Sequence, residues 1–359
     1  MASARTPVAQ APTQRPLEGM AQYSSLHSRS VGIHFATAGT PIPLNTGAQI
    51  SRGVAKLFSA LSPQIRDWAR AIRRIYRTYH AQHGFYPSLL FPVRYTEKMQ
   101  WRKLFDLNPL YALLCDKLAV RDIISERVGP EFLAPLLWAG APGAIPFETL
   151  EPPYIVKSTH GTGQTIVVED KNAVNPQFIR ETALSWIEQC HGTALDELGY
   201  VDVPPKVIVE KLLVQIDGSP PIERKIYVFD GIARVVQSTL VLKEDRTRWV
   251  SHHDMSWTEL PWTITHPHPP KRFEPPRQFA EMILIAERLG AGLNHVRVDM
   301  YESDDEIYVG EMTVYSYSGL HPFEPKSGDY VLGSYWDLRP RRLQALWTIL
   351  TKRREIRRP

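Results

Sequence analysis

Two alternating segments near residue 300 constrain the fold more than any other feature of the chain. Residues 295–301 and 307–314 place apolar side chains at alternate positions, which is the period of a strand with one buried face. The acidic turn 302–306 between them completes a predicted antiparallel hairpin. Any register that pairs odd-numbered with odd-numbered positions puts four polar side chains on one face, namely Arg297, Asp299, Glu311 and Thr313.

This polar face suits a divalent metal and a phosphate. The carboxylates of Asp299 and Glu311 on neighbouring strands can share magnesium ions while Arg297 holds a phosphate oxygen. The alternative is a solvated hairpin face with a cross-strand pair of arginine and glutamate. The apolar positions Val296 and Val298 favour a hairpin that packs on a core.

A second segment, residues 154–168, predicts a strand, a glycine loop and a returning strand. Lys157 ends a β-branched run and supplies a fixed positive charge beside the loop. Gly161 and Gly163 allow backbone N–H groups to approach an anion closely. No Gly-Lys-Ser/Thr sequence opens a helix here, so this is not a Walker loop. A plain surface hairpin explains the same pattern when the segment is taken alone.

Two shorter pieces lie between these segments. Residues 205–213 predict a strand with Glu210 near its end, where the carboxylate can accept hydrogen bonds from a ribose. Residues 223–236 predict a hairpin turned on Asp230 and Gly231, and Lys225 on its first strand can point at phosphate. Taken alone, each charged residue is more typical of an ordinary protein surface.

The order of these pieces resembles the ATP-grasp superfamily, and more closely the TupA-like ATP-grasp family associated with teichuronopeptide and other bacterial surface-polymer biosynthesis. The similar stretch covers residues 95–333 of 359, from Tyr-Thr-Glu-Lys-Met to Gly-Asp-Tyr-Val-Leu-Gly. The resemblance implies an α+β ATP-grasp fold, in which two small α+β subdomains clasp ATP behind an N-terminal helical extension. It implies that ATP phosphates contact Lys117, Lys157 and a closing loop made of His160, Gly161, Thr162 and Gly163.

The resemblance also assigns roles to the remaining residues. Glu210 would bind the ribose, Lys225 would lie near the nucleotide, and Arg297 would stabilise the transferred phosphoryl group. Mg²⁺ would be held by Asp299 and Glu311, with Thr313 as a third ligand. Many ATP-grasp ligases have Glu-x-Asn as the last metal pair, whereas this chain has Glu-Met-Thr. A threonine hydroxyl is a weaker oxygen donor than an amide carbonyl, which puts the second metal in doubt.

The function implied is an ATP- and Mg²⁺-dependent carboxylate–amine ligase that acts through an acyl phosphate on a bacterial surface glycan, a uronic acid or an amino acid. One alternative is a kinase of a sugar or glycan hydroxyl, with His160 or His321 as base. Another is a nucleotide-binding scaffold without turnover, for which Thr313 is the hint. Three cations are candidates to meet the acceptor carboxylate, namely Arg121, Arg224 and Arg234.

Composition limits the partners and the location. The hydrophobic fraction of 43% fits a globular enzyme, and no apolar run approaches the roughly 20 residues of a membrane span. A net charge of +4 argues against a dedicated nucleic-acid binder. Cys115 and Cys190 make neither a metal spacing nor a disulfide framework, so we expect a cytoplasmic protein with small-molecule or glycan substrates.

Residues 1–53 are rich in Ser, Thr, Ala, Pro and Gln and contain one acid, Glu18, so they predict a disordered tail. Further ranges follow in order: a helical N-terminal region (54–110), a lead-in (111–150), a glycine-loop subdomain (151–215), a C-terminal subdomain with the metal hairpin (216–338), and a basic C-terminal helix (339–359).

Three further expectations concern single elements. A helix over residues 54–83, broken near Ser62-Pro63, has an apolar and an arginine-rich face; it either packs on the body or rests peripherally on anionic lipid or an acidic polymer at the inner membrane face. Residues 110–128 predict one helix that carries Lys117. Residues 240–272 predict a structured loop in which His252 and His253 are candidates for substrate contact.

Overall fold

The structure, a computed structural model, describes residues 63–339 except residues 190, 216–218, 220, 242–246 and 304. All of these residues fall within the unit Lys56–Pro359. The predicted tail 1–53, the start of the first predicted helix, Cys190 and almost all of the predicted C-terminal helix lie outside the described residues.

Four helices open the described chain, and strands with intervening helices follow them. The helices are α1 (Pro63–His83), α2 (Tyr95–Phe105), α3 (Leu110–Cys115), α4 (Val120–Arg127), α5 (Pro176–Ile187), α6 (His191–Ala194), α7 (Phe279–Gly290) and α8 (Ser327–Ser334). The strands are β1 (Leu136–Gly140), β2 (Tyr154–Ser158), β3 (Thr165–Val168), β4 (Val207–Lys211), β5 (Glu223–Phe229), β6 (Ile232–Val241), β7 (Arg248–His253), β8 (Thr263–Ile264), β9 (His295–Ser303), β10 (Glu306–Thr313) and β11 (Phe323–Glu324).

The larger sheet has five strands in the order β10-β9-β5-β6-β7. Val296, Val298 and Met300 on β9 are fully buried in the same core cluster as the apolar face of α7, so the predicted hairpin does pack on a core. The opposite face of this sheet carries the odd-numbered polar residues. The predicted β5–β6 turn is confirmed, and its φ angles of 47° at Asp230 and 79° at Gly231 suit a tight hairpin turn.

The smaller sheet has four strands in the order β1-β4-β2-β3. Tyr154, Val156 and Val209 are buried in a second core cluster that includes the inner face of α5. That helix begins at Pro176 because Asn175 Oδ1 accepts a hydrogen bond from the N–H of Phe178 at 3.0 Å. The other face of the sheet therefore carries Lys157 and Glu210, as the strand predictions required.

The prediction of one helix over residues 110–128 is wrong. The chain leaves the helix at Asp116, where ψ is 111°, and helix α4 starts only at Val120. The carboxylate of Asp116 accepts hydrogen bonds from the N–H groups of Leu118 and Ala119, which stabilises a turn in place of a continuous helix. Lys117 therefore lies in a turn between two helices.

The prediction of a loop over residues 240–272 is also wrong. Residues 248–253 form β7, an edge strand of the five-stranded sheet, and Thr263–Ile264 pair with β11. Strand β1 was not predicted at all. On α1, Ile75 and Tyr79 are buried as predicted, but Trp68 is 38% exposed. Among the described residues, no helix combines the length and the apolar character needed to cross a bilayer.

Candidate active site

A small cleft opens between the two sheets and the turn that carries Lys117. Its polar lining is Lys117, Arg121, Lys157 and Glu210, and its apolar lining includes Ile208, Val309 and Gly310. Lys157, Ile208 and Glu210 share one face of the four-stranded sheet, because Ile155 pairs with Glu210 and Lys157 with Ile208. The fold thus brings together three of the predicted nucleotide-binding residues, namely Lys117, Lys157 and Glu210.

Glu210 joins the two cations at the centre of this cleft. Its Oε2 lies 2.7 Å from Lys157 Nζ, and its Oε1 pairs with the Arg121 guanidinium. Arg121 also donates to the carbonyl of Ala134 at 2.8 Å. A ribose hydroxyl at Glu210 would share the carboxylate with both cations. Arg121, a candidate for the acceptor carboxylate, therefore lies on the cleft side of the site.

Lys117 is fixed against the glycine loop. Its N–H donates to the carbonyl of Thr159 at 3.1 Å, and its ammonium donates to the carbonyl of Gly161. Burial lowers the pKa of this ammonium, and the neighbouring Lys157 acts in the same direction while Glu311 opposes it. A backbone carbonyl neutralises none of the charge on Lys117, so the ammonium is suited to an anionic ligand.

The two glycines of the loop occupy their positions for different reasons. A Cβ at Gly161 would lie 2.0 Å from Gln164 Oε1, and Gly163 has a φ of 71°. Thr162 at the tip is exposed. His160 is directed inward, where its Nε2 lies 3.0 Å from the carbonyl of Trp186 at the end of α5. This contact anchors the loop to the helix.

A row of polar residues crosses the five-stranded sheet beside the cleft. Each member is the register partner of the next on the neighbouring strand. From the β10 edge to the β7 edge the row is Glu311, Asp299, Lys225, Gln237 and His252. We call it the polar row.

Gly310 determines that Glu311 is the first residue of the polar row. Val309 pairs with Met300 but Glu311 pairs with Asp299, so β10 carries one extra residue, a β-bulge, at Gly310. A Cβ at Gly310 would lie 2.6 Å from the Tyr301 ring. Beyond the bulge, odd-numbered positions pair with odd-numbered positions, as predicted.

Asp299 is held by both cations of the predicted site. Arg297 makes a bidentate pair with it, with both N···O distances at 2.7 Å, and Lys225 Nζ lies 3.0 Å from Oδ2. Arg297 also donates to Thr313 Oγ1 at 3.0 Å and to Ser316 Oγ at 2.8 Å. Four of the five predicted catalytic and metal-binding residues are therefore connected by hydrogen bonds and ion pairs, and the fifth, Glu311, is the cross-strand partner of Asp299.

The groups of this cluster fix one another's charge. Burial works to raise the pKa of Asp299, but Arg297 and Lys225 hold it below the ordinary value. Burial works to lower the pKa of Lys225, and Asp299 and Glu223 outweigh it, so that its pKa is raised. The pKa of Arg297 is likewise raised by Asp299 against burial. All three groups are charged at neutral pH.

The oxygen atoms of this cluster fit a magnesium ion that is completed by phosphate. Asp299 and Glu311 are direct cross-strand partners, and both supply the hard oxygen ligands that Mg²⁺ prefers. The described residues contain no group of three or more His, Cys, Asp or Glu side chains arranged to hold a metal. Mg²⁺ is commonly bound by one or two carboxylates together with substrate phosphates, so two carboxylates beside a cleft are compatible with it.

The Ser316–Gly319 turn, which follows β10, covers Arg297. The Tyr317 ring centroid lies 5.3 Å from the guanidinium carbon, and Gln237 Nε2 donates to the Tyr317 hydroxyl at 2.7 Å. The His321 ring stacks on Tyr317 at 4.9 Å. Sequence reasoning missed Gln237, Ser316 and Tyr317; the Ser-Tyr-Ser-Gly stretch directly after the metal hairpin was the available signal.

Other candidates lie elsewhere. Arg224 is on the opposite face of β5, buried beneath the Trp257 ring, and Arg234 lies over Tyr335. His253 is buried and stacks on Trp257 at 4.4 Å. His252 alone of these lies in the polar row. Neither Arg224 nor Arg234 joins the cluster around Asp299.

Comparison with known proteins identifies the family. A family model described as TupA-like ATPgrasp matches residues 97–337. The chain belongs to the TupA-like ATP-grasp family. For this TupA-like ATP-grasp protein, no curated protein gives a significant match.

Two solved structures similar to this TupA-like protein are described as ligases. An ATP-grasp ligase PsnB complexed with a minimal precursor is 14% identical, with 57% of this chain and 53% of that chain covered and a TM-score of 0.35. A D-alanine–D-alanine ligase from Bacillus anthracis is 16% identical, with 65% and 70% covered and a TM-score of 0.35. The chain thus spans about half the length of PsnB.

Proposed function

We propose that this protein is an ATP- and Mg²⁺-dependent ligase that joins a carboxylate to an amine through an acyl phosphate. The observation that carries the proposal is the polar row beside the cleft, because it sets two carboxylates for a metal next to cations for phosphates. Phosphoryl transfer needs positioning and charge neutralisation more than a protein nucleophile. A cluster of lysines, an arginine and carboxylates can therefore provide the groups that phosphoryl transfer needs.

Each charged residue has a role in this mechanism. Lys117 and Lys157 neutralise the phosphates in the cleft, and Arg297 stabilises the γ-phosphoryl group. A carboxylate oxygen of the substrate attacks the γ-phosphorus while the bond to ADP breaks, which yields an acyl phosphate. The amine then attacks the acyl carbon and loses a proton, and inorganic phosphate leaves. Bound by Asp299 and Glu311, Mg²⁺ would neutralise charge on the phosphate oxygens.

The charge distribution agrees with an anionic nucleotide in the cleft. Three cations, Lys117, Arg121 and Lys157, face the single carboxylate of Glu210 there. Around Asp299, the two cations Arg297 and Lys225 are accompanied by three carboxylates, those of Asp299, Glu223 and Glu311. The excess of positive charge therefore lies at the β10 edge, which is where a polyphosphate gains most from it.

The acceptor would lie on the far side of Arg297, toward β7, because transfer in line requires acceptor and ADP on opposite sides of the moving group. His321 is half-buried there, and Thr265 Oγ1 lies 2.9 Å from its Nδ1. Burial lowers the pKa of His321, and so do His266, His83 and Arg248. Surroundings of this kind suit an anionic acceptor such as a uronic acid or an amino acid; a surface glycan is suggested by the family name alone.

His321 also favours one alternative, a kinase of a sugar or glycan hydroxyl. An imidazole with a lowered pKa is neutral at pH 7 and can accept a proton from a hydroxyl. The Tyr317 ring connects His321 to Arg297. The same acceptor position would then hold an alcohol.

We also propose that residues 151–215 and 216–338 form the two halves of the clasp, with the helical region 54–110 and the lead-in 111–150 bracing them. Because the reaction consumes ATP, we place it in the cytoplasm; peripheral contact with the membrane or with glycan-synthesis machinery belongs to the same proposal. The arginines exposed along α1 are the surface for such contact.

Hydroxylamine trapping tests the reaction class. With MgATP and a panel of uronic acids and amino acids, an acyl phosphate is converted to a hydroxamate, whereas a phosphorylated alcohol is not. We expect ATP-dependent hydroxamate with at least one acid and none with Arg297→Ala. A stable phosphomonoester without hydroxamate would establish the kinase, and neither product from a protein that binds MgATP would contradict both.

A further inference from the structure

Two polar side chains of helix α2 end on the Ser316–Gly319 turn. Gln100 Nε2 donates to the carbonyls of Ser318 at 2.8 Å and Gly319 at 3.1 Å, and Lys103 Nζ donates to Ser318 Oγ at 2.5 Å. Both side chains are buried. The turn lies directly on the helix, since a Cβ at Gly319 would be 2.6 Å from Met99 Cβ.

This turn has a backbone that needs outside restraint. Tyr317 and Ser318 have φ angles of 49° and 56°, and Gly319 follows at 61°. Left-handed residues other than glycine cost roughly 1 kcal/mol or more each and persist where neighbours hold them. Gln100 and Lys103 supply that restraint from α2, and Gln237 supplies it through the Tyr317 hydroxyl.

The same turn fixes Arg297. Ser316 Oγ accepts from Nη1, and the Tyr317 ring covers the guanidinium. Asp299 fixes Nε and Nη2 of the Arg297 guanidinium, so the turn determines how far the rest of the guanidinium can move. Because the guanidinium is rigid and planar, a shift of the turn would tilt its plane about the pair with Asp299 and so displace Nη1.

We propose that Gln100 and Lys103 are positioning residues for phosphoryl transfer, which fix Arg297 through the Ser316–Gly319 turn at the place where the γ-phosphoryl group binds. The proposal rests on the proposed role of Arg297. Neither residue touches the nucleotide. Their effect is on the preference of the site for a terminal phosphate.

The identity of Lys103 supports a role beyond packing. Burial lowers the pKa of its ammonium to about 8, against the opposing charges of Glu197 and Asp196. A buried ammonium is expensive to desolvate, and an apolar side chain of similar length would fill the same space at lower cost. Such a replacement would lose the hydrogen bond to Ser318 together with the favourable interaction with Glu197 and Asp196.

The test compares affinities for MgAMP-PNP and MgADP by isothermal titration, which needs no acceptor substrate. The ratio of the two dissociation constants measures how well the site holds the terminal phosphate. We expect Arg297→Ala to abolish most of the preference for MgAMP-PNP. Lys103→Met should reduce that preference at least fivefold, and Gln100→Met should reduce it in the same direction.

Lys98 provides the matched control on the same helix. Its buried ammonium donates to the carbonyl of Gly333 at 2.8 Å and holds α8 instead of the turn. Lys98→Met should lower the melting temperature as Lys103→Met does but leave the preference unchanged. If Arg297→Ala loses the preference while Lys103→Met and Gln100→Met keep it, the positioning role is overturned. If Arg297→Ala also keeps it, the role of Arg297 fails as well.

Discussion

At the scale of single residues, Asp299 determines how the site is charged. It is 2% exposed and carries ion pairs to both Arg297 and Lys225. Its partner across the strands, Glu311, is half-exposed and faces the cleft edge. The two carboxylates therefore differ in what they support, since one stabilises the protein and both can serve a metal.

We expect Asp299→Asn and Glu311→Gln to abolish turnover, since charge and not shape is what Mg²⁺ requires. Their stabilities should differ. Asp299→Asn leaves two cations without their buried carboxylate and should cost about 3 kcal/mol, whereas Glu311→Gln should cost less than about 1 kcal/mol. Urea unfolding measures both. If the two variants were equally stable, the ion pairs of Asp299 would not be what stabilises the folded protein.

Lys157→Met should weaken MgATP binding at least about tenfold, because it removes phosphate neutralisation in the cleft. Arg121 still pairs with Glu210, so the fold should survive. Lys211→Met is the control, since Lys211 is exposed at the end of the same strand as Glu210. Isothermal titration that gives Lys157→Met the wild-type affinity would remove the phosphate-binding assignment.

The residues of the metal hairpin could be predicted because alternation is local. Once the segments 295–301 and 307–314 pair, the face shared by Arg297 and Asp299 follows from the period of two. Gln237 could not be found in this way, since its place in the polar row depends on a strand two positions away in the sheet. A regular hairpin turned on Asp230 and Gly231 would pair Lys225 with Val236, and the register shift between Tyr227 and Val228 brings Gln237 there instead.

At the scale of elements, the bulge in β10 controls the site. It shifts the register by one residue, and without it Glu311 would fall on the apolar side of the hairpin. The bulge lies against the Tyr301 ring, which leaves no room for a side chain at Gly310. One small residue therefore decides which side chain faces Asp299.

Gly310→Ala should destabilise the protein by about 1 to 3 kcal/mol and reduce turnover, because the ring or the strand must move. Gly143→Ala should change neither, since its added methyl group meets open space. Denaturant unfolding and the trapping assay together measure the effect. A neutral Gly310→Ala would show that the Tyr301 ring moves aside freely.

Asp329 on α8 ties that helix to α2 and predicts a pH dependence. Its Oδ1 accepts from the N–H of Thr96 at 2.9 Å and its Oδ2 from the Thr96 hydroxyl at 2.6 Å. Burial raises its pKa from 3.8 to about 6. Between pH 3.8 and about 6, the folded protein binds more protons at Asp329 than the unfolded chain does. The stability that protonated Asp329 contributes to the folded protein is therefore lost as pH rises through about 6.

Asp329→Asn imitates the protonated form and should lack this dependence. The free energy of unfolding of the wild type, minus that of Asp329→Asn, should fall by up to roughly 3 kcal/mol between pH 4 and pH 7. Urea unfolding at each pH gives the difference. A constant difference would mean that Asp329 is ionised throughout.

Elements with strong local signals were predictable, and elements fixed by distant contacts were not. The turn at Lys117 depends on Asp116 bonding to two following N–H groups and on a backbone bond to Thr159. Strand β7 exists because β6 offers it an edge, although its sequence Arg-Trp-Val-Ser-His-His has no clear alternation. The first error therefore comes from a local turn at Asp116 together with one distant bond, and the second from tertiary context that overrides local propensity.

At the scale of the whole molecule, the function requires the two sheets and the lysine turn to face one another across the cleft. The sequence predicted the residues on each side but not their separation. The composition of residues 1–53 lacks the apolar side chains that a core requires.

A chain that starts at Arg52 should therefore keep its melting temperature within about 2 °C and keep its affinity for MgATP. Thermal unfolding and isothermal titration of the shortened and full-length chains provide the comparison. A large loss in either measurement would mean that the tail contributes to the folded body.

The polar row also has a length that the sheet fixes. Neighbouring strands are about 4.8 Å apart, so the four intervals from Glu311 to His252 measure roughly 19 Å. The spacing between the strands is set by backbone hydrogen bonds and not by the side chains of the row. Replacing any side chain of the row would therefore leave the spacing between its members unchanged, and His252 at the far end is fully buried against the Trp262 ring.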